Sequence, residues 1–127
     1  MNITKKVYGL NLPENSFIIV GSGILSALGI RESKDIDMIV SLDVFKDLKE
    51  QGWAISNWPD QEIVTKDDFE VGTKWSELCV NELLINAVII EGIPYLNLDD
   101  LKAWKLRKAR PKDIEDITLI DTYLKTH

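Results

Sequence analysis

The sequence has 127 residues, a formal net charge of −6 and 45% hydrophobic residues. That is enough to bury the core of one ordinary domain. No apolar run approaches the roughly 20 residues of a membrane span, and residues 1–6 have no apolar stretch behind their charges to make a signal peptide. Cys79 is the only cysteine; it excludes an internal disulfide and a cysteine-based zinc site, and its expected place is inside, as a small apolar side chain. A cytoplasmic protein with no membrane partner is the expectation.

In chain order, a single domain is expected over residues 7–124. Phe17–Val20 is a continuous apolar run of the kind buried on both faces of a sheet. Gly21-Ser22-Gly23 breaks it, and residues 24–28 continue as a short helix ended by Gly29. Residues 35–41 form a second strand that begins with strict acid–apolar–acid alternation, Asp35-Ile36-Asp37. Asp43 can cap a helix running to about Gln51, with Val44, Leu48 and Phe45 turned inward. Strand signals follow at residues 53–55, 62–65 and 69–72, the last two flanking a polar hairpin turn at Lys66-Asp67-Asp68.

Residues 78–87 carry Val80, Leu83, Leu84 and Ala87 at helical spacing, and residues 93–96 read as extended. Asn97 to Asp100 offer caps for a helix over Leu98–Lys108. Pro111 suits the first turn of a last helix whose expected apolar face is Ile114, Ile117, Leu119, Ile120 and Leu124. The fold class is therefore α/β (α+β): a small mixed sheet with flanking helices and a C-terminal helical segment.

Three features could carry chemistry. A glycine turn between strand and helix, as at Gly21-Ser22, lets backbone N–H groups approach an anion, although such turns are common in any case. Asp35 and Asp37, two apart on a strand, project from one face about 7 Å apart along the strand. Ionised together they need a compensating cation, and Mg²⁺ (or Mn²⁺) prefers such oxygen ligands; the alternative is the wet face of an edge strand. The apolar residues around the pair make that strand an expensive place for unpaired charge. Glu70, between Phe69 and Val71, has the same apolar–acid–apolar context. If its strand lies beside residues 35–40 it completes a three-carboxylate cluster, whereas a shift of register would bring Asp67 or Asp68 there instead.

The basic residues are segregated. Lys102, Lys105, Arg107, Lys108, Arg110 and Lys112 fall within eleven positions, either as a solvated helix face or as the cationic wall of a phosphate site. Four tryptophans are many for so short a chain. Packing is the default for each, and Trp58 and Trp75, in polar surroundings, are the better candidates for stacking on a base or meeting a partner. His127, the last residue, is expected to fray.

The run Val20-Gly21-Ser22, a short helix, then Asp35-Ile36-Asp37 resembles the signature of the DNA polymerase β-type nucleotidyltransferase superfamily. More narrowly, Gly21-Ser22-Gly23…Gly29-Ile30-Arg31…Asp35-Ile36-Asp37, with Gly92-Ile93-Pro94 and Lys105…Arg110-Pro111-Lys112-Asp113…Asp116 behind it, is similar to small bacterial nucleotidyltransferase-like proteins related to abortive-infection type IV toxins and the minimal nucleotidyltransferases. The likeness spans about residues 17–124. It implies a nucleotidyltransferase fold that moves a nucleoside monophosphate from a nucleoside triphosphate to a hydroxyl of a protein, an RNA or a small molecule. It further implies that Gly21 and Ser22 bind the triphosphate, that Asp35 and Asp37 hold the metal, and that Glu70 takes the third acidic position. Lys105, Arg110 and Lys112 become cations near phosphate or partners of acids, and Asp113 and Asp116 pair with those cations or cap the last helix. The chain departs from the pattern in having Glu as third acid, in lacking an arginine just after the Ser (Arg31 is the nearest substitute), and in having no separate substrate domain. The other reading is a non-catalytic nucleotide-binding member, or the partner of a protein encoded by an adjacent gene in a toxin–antitoxin pair.

Overall fold

The computed structural model describes residues 2–127, which form a seven-stranded mixed sheet and six helices. In chain order these are α1 (Ile3–Tyr8), β1 (Phe17–Val20), α2 (Gly23–Ala27), β2 (Ile36–Val40), α3 (Leu42–Glu50), β3 (Ala54–Trp58), β4 (Gln61–Lys66), β5 (Phe69–Gly72), α4 (Val80–Leu84), β6 (Val88–Ile90), β7 (Ile93–Tyr95), α5 (Leu98–Lys108) and α6 (Pro111–Thr126). The strand order is β3-β4-β5-β2-β1-β7-β6, so the strand that follows Asp35 is the middle of the sheet. β2 runs antiparallel to β1 and parallel to β5, and β7 runs parallel to β1. No helix among the described residues is long and apolar enough to cross a membrane.

Burial explains the central strands. Ile18, Ile36, Met38 and Ile39 are fully enclosed, and each such side chain contributes about 1.5–3 kcal/mol by leaving water. Val44 and Leu48 fix the inner face of α3 as expected. Its cap, however, is Ser41, whose hydroxyl accepts from the Val44 N–H; Asp43 lies in the first turn, where its charge suits the helix dipole.

Three further expectations are corrected. Residues 78–87 are not one helix: α4 covers only Val80–Leu84, and Val88–Ile90 pairs with β7 as an edge strand. Cys79 is exposed rather than inside, because it stands at the N-cap position of that short helix. On α6 only Ile120 of the expected apolar face is fully buried, while Ile114, Leu119 and Leu124 are exposed. The enclosed stripe is instead Asp113, Asp116 and Ile120. At the other end of the chain, α1 adds Ile3 and Val7 to the core.

Between α5 and α6 the chain turns on Ala109, which holds a left-handed φ of 52° and donates its N–H to the Lys105 carbonyl. Pro111 then occupies the first turn of α6. This elbow packs α5 against α6 and brings residues 105–116 to the end of the sheet where β1 finishes and β2 and β5 begin.

Candidate active site

A cleft of about 330 Å³ opens at that end of the sheet. Gly21, Ser22, Asp35, Asp37, Glu70, Lys105, Arg110 and Lys112 all line it, so the residues singled out across 92 positions of sequence meet in one place. Register brings the acids together. Asp37 stands opposite Val20 on one side and opposite Glu70 on the other. Asp35 precedes β2 and is exposed. The two competing acids lie elsewhere: Asp67 takes the left-handed turn at φ 52°, and Asp68 pairs with Lys6.

Gly21 is required on two grounds. Its φ of 62° is in the left-handed region, and a Cβ there would sit 2.8 Å from Asp37 Oδ2. The turn therefore lies directly over the central carboxylate. Because α2 is only five residues long, its dipole is a minor source of positive charge, and the cations of the opposite wall supply most of it.

Asp37 is poorly compensated. Its Oδ1 is buried and has no hydrogen-bond partner, alone in this respect among the described residues. Burial first, then the neighbouring Glu70 carboxyl and the charge of Asp35, push its pKa up to about 7, with Lys112 opposing. No group of three His, Cys, Asp or Glu side chains among the described residues is disposed to hold a metal ion as it stands. The orphaned oxygen and crowded carboxylates are nevertheless the donor set that a hard divalent cation would satisfy. Asp35, Asp37 and Glu70 therefore fit such an ion.

The opposite wall comes from α5, α6 and the segment after α2. Lys105 is almost fully buried and lies 2.8 Å from Asp116 and 3.4 Å from Asp113. It also donates to Ser22 Oγ at 3.3 Å, which ties the helices to the glycine turn. Arg31 grips Asp116 with Nε and Nη2, at 2.6 and 2.8 Å. Arg110 does the same to Asp113 and donates its backbone N–H as well. Burial opposes ionisation of Asp113 and Asp116, but these bonds and charges outweigh it and hold both pKa values below the ordinary carboxylate range. Both acids thus pair with the cations, as expected. Lys108 and Lys112 also line the cleft; the charge of Lys112 acts on Asp37, and Lys108 lies over the Trp104 ring.

Of the lining residues, sequence reasoning left Pro59 unassigned, gave Trp104 only packing as its default, and named Lys108 only as one of the basic cluster. Trp104 and Lys108 are one helical turn apart on α5, a spacing that places them on the same face and could have flagged them. Of the six clustered cations, Lys102 and Arg107 lie outside the cleft, bonded to Asp121 and Ser76. Compared with models of known families, with curated proteins and with solved structures, the chain finds no match in any of the three.

Proposed function

We propose that the cleft binds a nucleoside triphosphate with Mg²⁺ and transfers its nucleoside monophosphate to a hydroxyl acceptor, the α–β phosphoanhydride bond breaking to release pyrophosphate, in a fold of the nucleotidyltransferase type. The observation that carries this reading is the three-carboxylate wall, Asp35, Asp37 and Glu70, with its orphaned Asp37 oxygen, facing a wall of cations across a glycine turn. An acidic wall alone would repel a triphosphate, and a cationic wall alone would have no use for unpaired carboxylates. The two together suit a polyanion that arrives with its counter-cation.

Asp35 and Asp37 would hold the divalent ion, with Glu70 beside them. The ion supplies neutralisation of the phosphate charge and a lowered pKa for the attacking hydroxyl. Lys112 and Lys108, which line the cleft, would meet phosphate oxygens. Lys105 and Arg31 are bound to α6 acids, so their part is to position the wall and the Ser22 hydroxyl. Glu70, opposite Asp37 in the register of β2 and β5, would serve as the base that takes the acceptor's proton.

The test is transfer of label from each α-³²P nucleoside triphosphate, with Mg²⁺, to protein, RNA or small molecules of a cell extract. Transfer that disappears in the Asp35→Ala, Asp37→Ala double variant supports the assignment; transfer that survives it removes these residues from the chemistry. The non-catalytic reading, a nucleotide-binding protein that acts with a partner, is favoured by one observation: the third acid is Glu70, one methylene longer than the commoner Asp. Mg²⁺-dependent binding with no transfer to any acceptor would select it.

A further inference from the structure

The cleft continues beyond the charged walls into a second cavity of about 170 Å³, and the two share Trp58, Pro59, Trp75, Trp104 and Lys108. Resting on the nucleotide reading above, we propose that this bay holds the base of the bound nucleotide, so that the substrate is recognised as an aromatic nucleotide and not as a polyphosphate alone.

Three elements bring the indoles together. Trp58 ends β3, where Pro59-Asp60 turns the chain into β4. Trp104 comes from α5, and Trp75 from the loop after β5, with the Trp75 and Trp104 rings 4.6 Å apart. None of the three is fully buried, unlike Trp53, which packs in the core. Large apolar rings left partly open at the mouth of a charged cleft are surface that folding alone has not covered.

The bay is also built to keep its shape. Trp75 and Leu78 exchange both backbone hydrogen bonds across a two-residue turn made of Ser76 and Glu77. Both of those residues hold positive φ, 49° and 68°, where glycine or asparagine is the ordinary choice. That strain is sustained from two sides. The Gln61 carboxamide accepts from the Thr73 and Lys74 N–H groups and donates to the Lys74 carbonyl. Arg107 donates to Ser76 Oγ from α5. Gly72 makes room for this arrangement, since a Cβ there would lie 2.6 Å from Gln61 Oε1 and 3.0 Å from the Trp58 ring. Strained backbone braced in this way points to a required position for the side chain it carries, here Trp75.

The chemistry of the bay matches an aromatic ring with phosphates attached. Indole faces stack on any base, and two cations beside Trp104, Lys108 Nζ at 5.5 Å and Arg110 at 5.3 Å from its ring, line the same cleft as the acids. A base among the tryptophans would set its phosphates against Lys108 and Lys112 and toward Asp35 and Asp37.

The test compares ATP and UTP with inorganic tripolyphosphate and with a five-residue oligoadenylate lacking a triphosphate, all in Mg²⁺. Binding is measured by calorimetry and by tryptophan fluorescence of the wild-type protein and of Trp75→Leu. The expected result is saturable quenching by the nucleotides and none by tripolyphosphate. Trp75→Leu should weaken nucleotide binding by about tenfold or more and leave tripolyphosphate binding unchanged. The wild-type comparison stands alone if the variant does not fold. If both phosphates bind without quenching, the base-binding bay is overturned and the triphosphate site survives. If neither binds, the nucleotide reading falls and the bay falls with it. Tight quenching by oligoadenylate, with none by ATP or UTP, would give the bay to an acceptor strand and overturn its assignment to the donor.

Discussion

Two sets of acids border one cleft and have opposite fates. Asp113 and Asp116 are enclosed on α6, yet every oxygen meets a cation: Arg110 and Lys105 on one, Arg31 and Lys105 on the other. Asp37, on the central strand, is less enclosed but has a bare oxygen, two acidic neighbours and only the charge of Lys112 in its favour. The first pair is finished within the fold. The second is left incomplete, a liability that the proposed divalent ion would relieve.

The contrast is most sharply broken at Lys105. Lys105→Met should leave Asp113 and Asp116 with only their arginines and cost about 3 kcal/mol, a fall in melting temperature of about 10 °C by calorimetry. Asp37→Asn should act in the opposite direction on stability. It removes an uncompensated charge, so the melting temperature at pH 8 without metal should rise by a few degrees, while any transfer activity falls about a hundredfold to a thousandfold. A variant that loses both stability and activity would mean that Asp37 is part of the scaffold.

The pH dependence carries the same opposition with a worked sign. Asp37 has a folded pKa of about 7, above its ordinary 3.8, so the folded state binds the proton more tightly and stability is lost as pH rises from about 4 through 7. Asp113 and Asp116 are shifted down, so their contribution is present above the ordinary carboxylate range and is lost only as pH falls below it. In EDTA the melting temperature should therefore be lower at pH 8 than at pH 5, and Mg²⁺ should restore it at pH 8 with little effect at pH 5. Equal Mg²⁺ effects at both pH values would count against ion binding at Asp37. Smallest of all, Cys79→Ala, at an exposed cap position, should move stability by less than about 0.5 kcal/mol.

How far these acids could be told apart in advance depended on their neighbours. Asp35 and Asp37 were legible because a period of two on an apolar strand fixes both faces, and the same alternation marked Glu70. The α6 acids were legible only as partners of cations. Their burial was hidden, since a helix whose inner stripe is Asp113, Asp116 and Ile120 gives no apolar period, and the visible apolar residues pointed to the wrong face. Residues 78–87 misled in another way: apolar positions at helical spacing within a short run do not exclude a strand, and pairing with β7 decided the second half. The Trp75 turn gave no signal because Ser76 and Glu77 stand where the usual turn residue is glycine or asparagine. The α5 cap at Asn97 and Pro111 of α6 were read correctly because each is local chemistry, independent of what packs above it.

Ala109 has a consequence for how firmly the cationic wall is aimed. A left-handed alanine costs about 1 kcal/mol relative to glycine, and glycine would seem the better residue between two helices. Glycine would also widen the arc through which α6 could swing about α5, because its φ is free on both sides of zero. With a methyl group at the joint the chain accepts a slightly less comfortable bend and gains a hinge with little play. Lys105, Lys108, Arg110 and Lys112 straddle that bend, so the spacing between their charges is set by one dihedral angle as much as by their ion pairs.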